Sequence, residues 1–133
     1  MSFERTADRD AVLAFYREEL GRDVDVGNEE LFVARSGDDV VGAVRLYPEA
    51  GTLLLRTMVM TAALRGRGIG RQLLRFVEPA IGPRECYCFP WTHLEAFYGD
   101  IGFRRISDEQ VPSALRHRFG TPDTIVMRRT PRP

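Results

Sequence analysis

Three glycines alternate with other residues, mainly arginines, in the segment Arg65-Gly66-Arg67-Gly68-Ile69-Gly70-Arg71 of the 133-residue chain. Glycine has no Cβ atom, so it adopts positive φ angles and lets a ligand come close to the backbone. Arginine carries a permanent charge and binds phosphate groups with two parallel hydrogen bonds. These residue types at this spacing predict a turn that binds a pyrophosphate group.

The segments on both sides of the turn support this interpretation. The run before it, 53–60, is mostly apolar and has the character of a β-strand. After it, apolar residues recur at helical spacing, at Ile69, Leu73, Leu74, Phe76 and Val77. The first N–H groups of a helix have no partners within the helix, and the helix dipole adds positive potential there. The alternative is an arginine-rich turn that only solvates the start of the helix.

Two common nucleotide-binding motifs do not fit the turn. The P-loop requires Lys and then Ser or Thr after its last glycine, and the dinucleotide motif requires G-x-G-x-x-G. Instead, Arg65, Gly68 and Gly70 follow the pattern Arg/Gln-x-x-Gly-x-Gly/Ala. In this the segment resembles the acetyl-coenzyme A signature of the GNAT acetyltransferase superfamily. Further along, Phe97-Tyr98 followed by Gly102-Phe103 resembles a second GNAT motif.

The resemblance implies a fold, a reaction and a set of binding residues. The fold is the α/β (α+β) GNAT acyl-CoA N-acyltransferase fold, with an antiparallel meander, flanking helices and a parallel fourth and fifth strand splayed around the cofactor. The reaction moves acetyl from acetyl-CoA directly to an amine. The Val59 N–H would polarise the thioester carbonyl, and Met58 and Met60 would lie beside the pantetheine arm. The implied coenzyme-binding residues are Met58, Val59, Met60, Arg65, Gly66, Arg67, Gly68, Ile69, Gly70 and Arg71.

The same resemblance gives Tyr98 the role of general acid. An unperturbed phenol has a pKa of about 10, so it is protonated at neutral pH and can donate to a departing thiolate. The alternative is a packing aromatic at a polar edge. Many relatives carry a glutamate on the strand before the glycine turn, where this chain has Arg56 and Thr57. No base is therefore assigned; water and the side chains of Glu49, His93, Glu95 and Asp100 stay open.

Arg56 interrupts an apolar strand, and this position favours a role in binding the acceptor. A guanidinium in the acceptor cleft would bind a carboxylate in bidentate fashion, with help from Arg45 on the neighbouring strand. The alternative is a solvent-facing Arg56 paired with an acid across the sheet. The run 55–60 also resembles Leu-Arg-Ser-Leu-Ala-Val of GNAT enzymes associated with arsenic resistance, and the segments 102–106, 111–112 and 126–127 resemble the ends of those enzymes and of amino-acid acetyltransferases.

These echoes predict a small, amino-acid-like amine as the acceptor. Two alternatives are kept: a peptide or protein N-acetyltransferase, and a non-catalytic module of the GNAT fold that only binds an acyl-CoA. The resemblance also leaves a homodimer open, since many relatives dimerise.

The composition excludes several other classes of function. Lys+Arg and Asp+Glu both number 19, so a net charge of zero gives no bulk attraction to nucleic acid or to membranes. No apolar run reaches the ~20 residues of a membrane span, and the first ten residues are too charged for a signal peptide, which predicts a cytoplasmic protein. Cys86 and Cys88 should share one face of a strand as packing residues, because they are too few for a metal site and too close for a disulfide.

The pattern of the chain predicts one domain over 1–130 and a tail at 131–133. A helix over 9–20 should be capped by Asp8 and ended by Gly21. Turns are expected at 36–39 and 48–51, and a break at 79–83. The predicted strands are 3–6, 31–35, 40–47, 53–60, 85–89, 102–106 and 123–129, and shorter helices are predicted at 92–98 and 111–119.

Overall fold

A computed structural model describes residues 1–118 and 122–130 of the chain. The predicted tail at 131–133 and the predicted end of the last helix at Phe119 lie outside these ranges. Within them, the strands are β1 (Ser2–Thr6), β2 (Glu30–Ser36), β3 (Asp39–Glu49), β4 (Thr52–Met60), β5 (Cys86–Cys88), β6 (Arg104–Arg105) and β7 (Met127–Arg129). The α-helices are α1 (Arg9–Leu20), α2 (Ile69–Ile81) and α3 (Glu95–Gly99), and short 3-10 turns cover Ala62–Leu64, Thr92–Leu94, Asp108–Gln110 and Ser113–Arg118.

The strands form one sheet in the order β1-β2-β3-β4-β5-β7-β6. The first four pair antiparallel in sequence order, and β7 pairs antiparallel with both β5 and β6. The β4 and β5 strands are parallel, and α2 connects them, as a parallel pair requires a long crossover. The predicted meander, followed by a parallel strand–helix–strand unit, is confirmed.

Side chains alternate between the two faces of the sheet, and each face has its own core. The helix α2 covers one face and buries Leu73, Leu74, Val77 and Ile81 there. On the other face, α1 packs over β2 and β3, and the turn Ser113–Arg118 packs over β4 and β5. Both faces are covered, so the buried strands become apolar runs instead of alternating with polar residues.

The helix α1 begins and ends where the sequence predicts. Asp8 is its N-cap, and Asp8 Oδ1 accepts a hydrogen bond from the Ala11 N–H at 3.1 Å. Gly21 ends the helix in the left-handed conformation, with φ at 69°. Two local signals, a capping carboxylate and a terminal glycine, are therefore enough to fix this element.

The helix α2 is longer than predicted, because it continues through Pro79 to Ile81 and ends at Gly82. Proline inside a helix costs about 3 kcal/mol through a lost hydrogen bond and a steric clash. Ile81 is fully buried on the same stripe as Val77, and burying such a side chain contributes about 1.5–3 kcal/mol. Tertiary packing thus offsets the local penalty, and the break predicted at 79–83 is wrong in its first half.

The turn predicted at 48–51 is shorter than expected. The strand β3 continues through Pro48 to Glu49, and Pro48 lies opposite Leu53. Only Ala50 and Gly51 form the loop, and both have positive φ angles, 52° and 76°. A two-residue loop with two positive φ angles matches the twist of a β-hairpin, so it sets the register of β4 against β3.

The cysteines and the remaining predicted elements can be placed as well. Cys86 and Cys88 are unbonded, lie in the core on the α2 side, and share one face as predicted. Burial raises the pKa of the Cys86 thiol to about 12. The strands predicted at 85–89, 102–106 and 123–129 form at the expected places as β5, β6 and β7 but are shorter than expected. The helix predicted at 92–98 forms as a 3-10 turn followed by α3, and the segment predicted as a helix from 111 forms the 3-10 turn Ser113–Arg118. In residues 1–118 and 122–130, no helix has the length and apolarity to cross a membrane, and no cluster of His, Cys, Asp or Glu could hold a metal ion.

Candidate functional site

The parallel strands β4 and β5 separate soon after they meet. Their ladder has two residue pairs, Leu53 with Cys86 and Leu54 with Tyr87, whereas β4 continues to Met60. Two clefts border the end of β4 beyond this pairing. The first, of about 430 Å³, is lined by Met58, Met60, Leu64, Arg65, Gly66, Gly68, Gly70, Arg71, Leu94, Phe97 and Tyr98.

The glycine turn forms the polar end of the first cleft. Gly66 and Gly68 have φ angles of 80° and 79°, which residues with a side chain rarely adopt. Gly68 is the N-cap of α2 and offers no side-chain cap, so the first N–H groups of the helix are left for a ligand. Arg65 and Arg71 line the same cleft, and Arg65 Nε donates to the Met60 carbonyl at 3.2 Å. The donors and charges fit a pyrophosphate group.

The other walls of the first cleft are apolar and closely packed. A Cβ on Gly70 would lie 3.5–3.6 Å from atoms of Met58, Met60 and Phe97. Met60 in turn lies against Gly42 of β3, where a Cβ would meet the thioether sulfur at 2.4 Å. The cleft thus joins a cationic turn to a channel of thioether and aromatic side chains, which fits an extended molecule with an anionic end.

The second cleft lies on the other side of the end of β4 and has a volume of about 370 Å³. Its described lining is Leu20, Arg22, Leu55, Arg56, Thr57, Val59, Cys88, Phe89, Pro90, Trp91, Tyr98 and Arg118. Tyr98 belongs to both linings, so its ring lies at the junction of the two clefts. Burial raises the pKa of the Tyr98 phenol, with a smaller contribution from Cys88, which keeps the phenol protonated well above neutral pH.

The arginines of the second cleft differ in their partners. Arg118 binds Glu49 through two hydrogen bonds, and this contact is the main reason that the pKa of Glu49 is lowered. Arg56 has no carboxylate within ion-pair distance in the described part of the chain, and its Cζ lies 5.7 Å from the centroid of the Tyr47 ring. Its pKa is lowered by burial first and then by the charges of Arg118 and Arg45. Arg56 is therefore a partly buried cation without a close ion-pair partner in the described structure, and it shares the more distant charge of Glu49 with Arg118.

One comparison identifies the family to which this arrangement belongs. A family model for the acetyltransferase (GNAT) domain matches residues 27–105, which include β4, the glycine turn and Tyr98. The chain belongs to the GNAT acetyltransferase family. It is therefore an acyltransferase that uses an acyl-coenzyme A, and the family predicted from the two motifs is confirmed. Among curated protein sequences, none matches this GNAT chain significantly.

Solved structures with the same fold span nearly the whole chain. An acyl-CoA N-acyltransferase from Pseudomonas aeruginosa is 23% identical, with a TM-score of 0.75 and coverage of 98% of this chain and 100% of its own. ElaA of Escherichia coli is 18% identical, with a TM-score of 0.73 and coverage of 96% and 98%. An aminoglycoside 6'-N-acetyltransferase solved with coenzyme A is 17% identical, with a TM-score of 0.72 and coverage of 100% and 99%. These likenesses show the GNAT fold.

Most of the residues predicted to bind coenzyme A lie in the first cleft of this GNAT domain. The exceptions are Val59, which lines the second cleft, Ile69, which packs against the core, and Arg67, which lines neither cleft in the described structure. Sequence reasoning assigned no site role to Leu64, Leu94 and Phe97 in the first cleft or to Leu20, Arg22, Phe89 and Arg118 in the second. Most of these side chains come from loops, 3-10 turns or the last residue of a helix, where no periodicity indicates which way a residue points. Phe97 stands in the second motif, but the motif itself gives it no role.

Arg45 is placed differently from the sequence prediction. Its side chain is 3% exposed, and it makes an ion pair with Glu29 at 2.7 Å. It also donates to the Asp25 carbonyl and to the hydroxyl of Thr57. With its hydrogen-bonding groups engaged and no place in the lining of the second cleft, Arg45 does not contact an acceptor there. This placement does not support the predicted direct role of Arg45. The sequence does not indicate the pairing with Glu29, because Glu29 lies in none of the predicted helices and strands.

The glycine turn can be tested by substituting Gly68 with alanine. A Cβ in the left-handed region costs about 1–2 kcal/mol. Relieving it would rotate the first N–H groups of α2, so we expect Gly68→Ala to weaken coenzyme A binding by about tenfold, by titration calorimetry. The matched control is Gly51→Ala, because Gly51 has a φ of 76°, similar open space and a place in the distant β3–β4 hairpin. Equal losses of affinity in both variants would argue against the turn as the binding site.

Proposed function

We propose that residues 1–130 form one domain that transfers acetyl from acetyl-CoA to the amine of a small, amino-acid-like molecule. The class of acceptor is inferred from the positive charge of the second cleft. Its described lining contains three arginines, Arg22, Arg56 and Arg118, and no Asp or Glu. Arg118 is neutralised by Glu49, but Arg56 has no acidic partner in the described structure. An acceptor with a carboxylate would provide one.

The lowered pKa of Arg56 supports the same conclusion. Its first cause, burial, means that the guanidinium has lost part of its hydration, and the more distant charge of Glu49, which Arg118 already binds, does not make up for that loss. The Tyr47 ring offsets part of this cost by a cation–π contact. A bound carboxylate would offset more, because hydrogen bonds between two charged groups are short and strong. We assign Arg56 the role of binding the acceptor carboxylate.

The first cleft is assigned to the coenzyme. Gly66, Gly68 and Gly70 would hold the pyrophosphate by backbone contacts, with Arg65 and Arg71 supplying charge. Met58 and Met60 would pack along the pantetheine arm. The thioester of the bound coenzyme supplies the acetyl group.

Tyr98 and the backbone of β4 carry the chemistry in this proposal. A backbone N–H in the segment from Met58 to Met60 would donate to the carbonyl oxygen as charge develops on it. Val59, which the resemblance implied for this role, pairs with Ala43 across the β3–β4 ladder, so its own N–H is directed to β3. The Tyr98 phenol stays protonated because of burial, and its place between the clefts would let it donate a proton to the departing thiolate. The described lining of the second cleft contains no Asp, Glu or His, so we assign no side-chain base, and water would accept the amine proton.

Transfer would be direct, without an acetylated enzyme. Cys88 is the thiol in the described lining of the second cleft, and it is 2% exposed. Burial raises its pKa far above the ordinary value, so the nucleophilic thiolate is not formed at neutral pH. The amine would therefore attack the thioester while both substrates are bound.

The first test is release of free thiol from acetyl-CoA with a panel of amino acids, their analogues, polyamines and peptides. We expect turnover with amines that carry a carboxylate. Turnover only with polyamines or peptides would overturn the acceptor class but keep the transferase. A thermal shift with coenzyme A and no thiol with any amine would indicate a binding module instead.

We expect Arg56→Ala to raise the KM for the acceptor by about tenfold or more, because a hydrogen bond to a charged group contributes about 1.5–3 kcal/mol. The KM for acetyl-CoA should stay near the parent value. Arg56→Lys keeps the positive charge but cannot form two parallel hydrogen bonds to a carboxylate, so its KM for the acceptor should lie between those of the parent and of Arg56→Ala. Arg116→Ala removes an exposed arginine outside both linings and is the control. Equal changes in both KM values would contradict the assignment.

We expect Tyr98→Phe to lower kcat by about a hundredfold, since general acid catalysis contributes about 10²–10⁴-fold. Coenzyme A affinity should hardly change, because phenylalanine keeps the ring. The control is Tyr87→Phe, since Tyr87 is a buried tyrosine that lines neither cleft. An unchanged kcat for Tyr98→Phe would remove the phenol from the mechanism.

A further inference from the structure

A buried arginine lies beneath the end of β4, on the side of the second cleft. Arg45 donates from Nη1 to Glu29 Oε2 at 2.7 Å and to the Asp25 carbonyl at 2.9 Å. It donates from Nε and Nη2 to the hydroxyl of Thr57 at 3.2 and 3.0 Å. The Glu29 side chain is 0% exposed, so the pair is removed from water. One guanidinium thus connects the segment after α1 to the middle of β4.

Thr57 has a backbone conformation that its residue type resists. Its φ is 54°, in the left-handed region, where a β-branched residue is a genuine outlier. Such a conformation costs of order 1–3 kcal/mol and persists only where the surroundings hold it. Here Arg45 holds the side chain, and Tyr16 donates its hydroxyl to the Thr57 carbonyl at 2.7 Å. The hydroxyl and the carbonyl oxygen of Thr57 are therefore both held by hydrogen bonds from buried side chains.

The strain marks a β-bulge. Ala43 lies opposite Val59, and Arg45 lies opposite Arg56, so Thr57 and Met58 together face the single residue Val44. A bulge of this kind inserts one extra residue and shifts all later side chains to the opposite face.

The effect on the two clefts follows from the numbering. Before the bulge, the odd-numbered Leu53 and Leu55 face the α2 side of the sheet. After it, the even-numbered Met58 and Met60 face that side and line the first cleft. Without the extra residue, strict alternation would turn Met58 and Met60 toward the second cleft and α1. Because of the bulge, β4 contributes to both clefts: Arg56 lines the second cleft, and Met58 and Met60 line the first.

We propose that Arg45 and Tyr16 are positioning residues for acetyl transfer, which act through Thr57 by holding this bulge. The inference rests on the proposed function, because the segment that it orients, Met58 to Met60, is the one assigned to the acyl group and its carbonyl. A buried ion pair is in itself a weak source of stability. The role of the pair between Arg45 and Glu29 is to fix one backbone conformation and to join it to the segment from Asp25 to Glu29.

The test removes the hydroxyl of Thr57 and keeps its shape. Thr57→Val retains the β-branch but accepts no hydrogen bond from Arg45, whereas Thr57→Ser retains the acceptor. We expect Thr57→Val to lower kcat by about tenfold or more, since a displacement of about 1 Å at a reacting centre costs up to 10²-fold. The KM for acetyl-CoA should change little, and Thr57→Ser should restore most of kcat. Tyr16→Phe, which frees the Thr57 carbonyl, should lower kcat in the same way.

A control in the same strand separates positioning from stability. The Thr52 hydroxyl donates to the Glu49 carbonyl at 2.7 Å at the start of β4, and Thr52 lines neither cleft. Thr52→Val therefore also loses a hydrogen bond of a threonine hydroxyl in this strand, and it should keep the parent kcat. Thermal midpoints of all variants show whether any loss of rate is only a loss of folded protein.

Amide hydrogen exchange over 57–60 gives a second readout that needs no turnover. We expect exchange there to be faster in Thr57→Val than in the parent, Thr57→Ser or Thr52→Val. If the parent releases no thiol with any amine, the proposed function fails, and exchange still decides the role of the bulge. Parent-like exchange and kcat in Thr57→Val, or equal defects in Thr57→Val and Thr57→Ser, would overturn the inference.

Discussion

The early end of the pairing between β4 and β5 is the constraint on which the rest of the structure depends. A parallel ladder uses the backbone groups of both strands, and here it stops after Leu54. Beyond that point β4 continues alone on this side, and both clefts border the same short length of strand. The helix α2 packs against residues from both halves of the sheet, from Phe32 on β2 to Met127 on β7, and so holds the two halves together. Binding and chemistry thus occupy a strand edge inside the sheet that the ladder leaves unpaired.

Two arginines at this edge have different roles because their surroundings differ. Arg45 and Arg56 lie directly opposite each other on β3 and β4. Arg45 is neutralised by Glu29 and buried, so it belongs to the scaffold. Arg56 lies over the Tyr47 ring and has no carboxylate within ion-pair distance in the described structure, since the nearby Glu49 is bound by Arg118, so it is left available to a ligand. Tyr47 also lies within 6 Å of the Arg45 and Arg118 guanidinium carbons, and its ring spaces the three cations apart.

Local signals in the sequence predicted a large part of this fold and of the first cleft. Asp8 and Gly21 mark the two ends of α1, and the glycine turn marks the start of α2. The sequence motifs therefore predicted α1, the start of α2 and most of the residues of the first cleft. The burial of the Arg45 side chain depends on its ion pair with Glu29, and Glu29 lies in a segment without hydrophobic periodicity. The positive φ of Thr57 has no signal at all, because a β-branched residue argues against it. Long-range partners decide such positions, and a linear pattern does not contain them.

The contact between Gly42 and Met60 has a consequence for how this domain can diverge. Gly42 lies in the interior of β3, away from both clefts, yet a single added carbon there would collide with the Met60 thioether. Relief would push that side chain toward the channel and narrow it. Positions 42 and 60 should therefore covary among close homologues, with a larger residue at 42 accompanied by a smaller one at 60. A buried glycine without any chemical role would then be one of the positions that set the width of the channel lined by Met60.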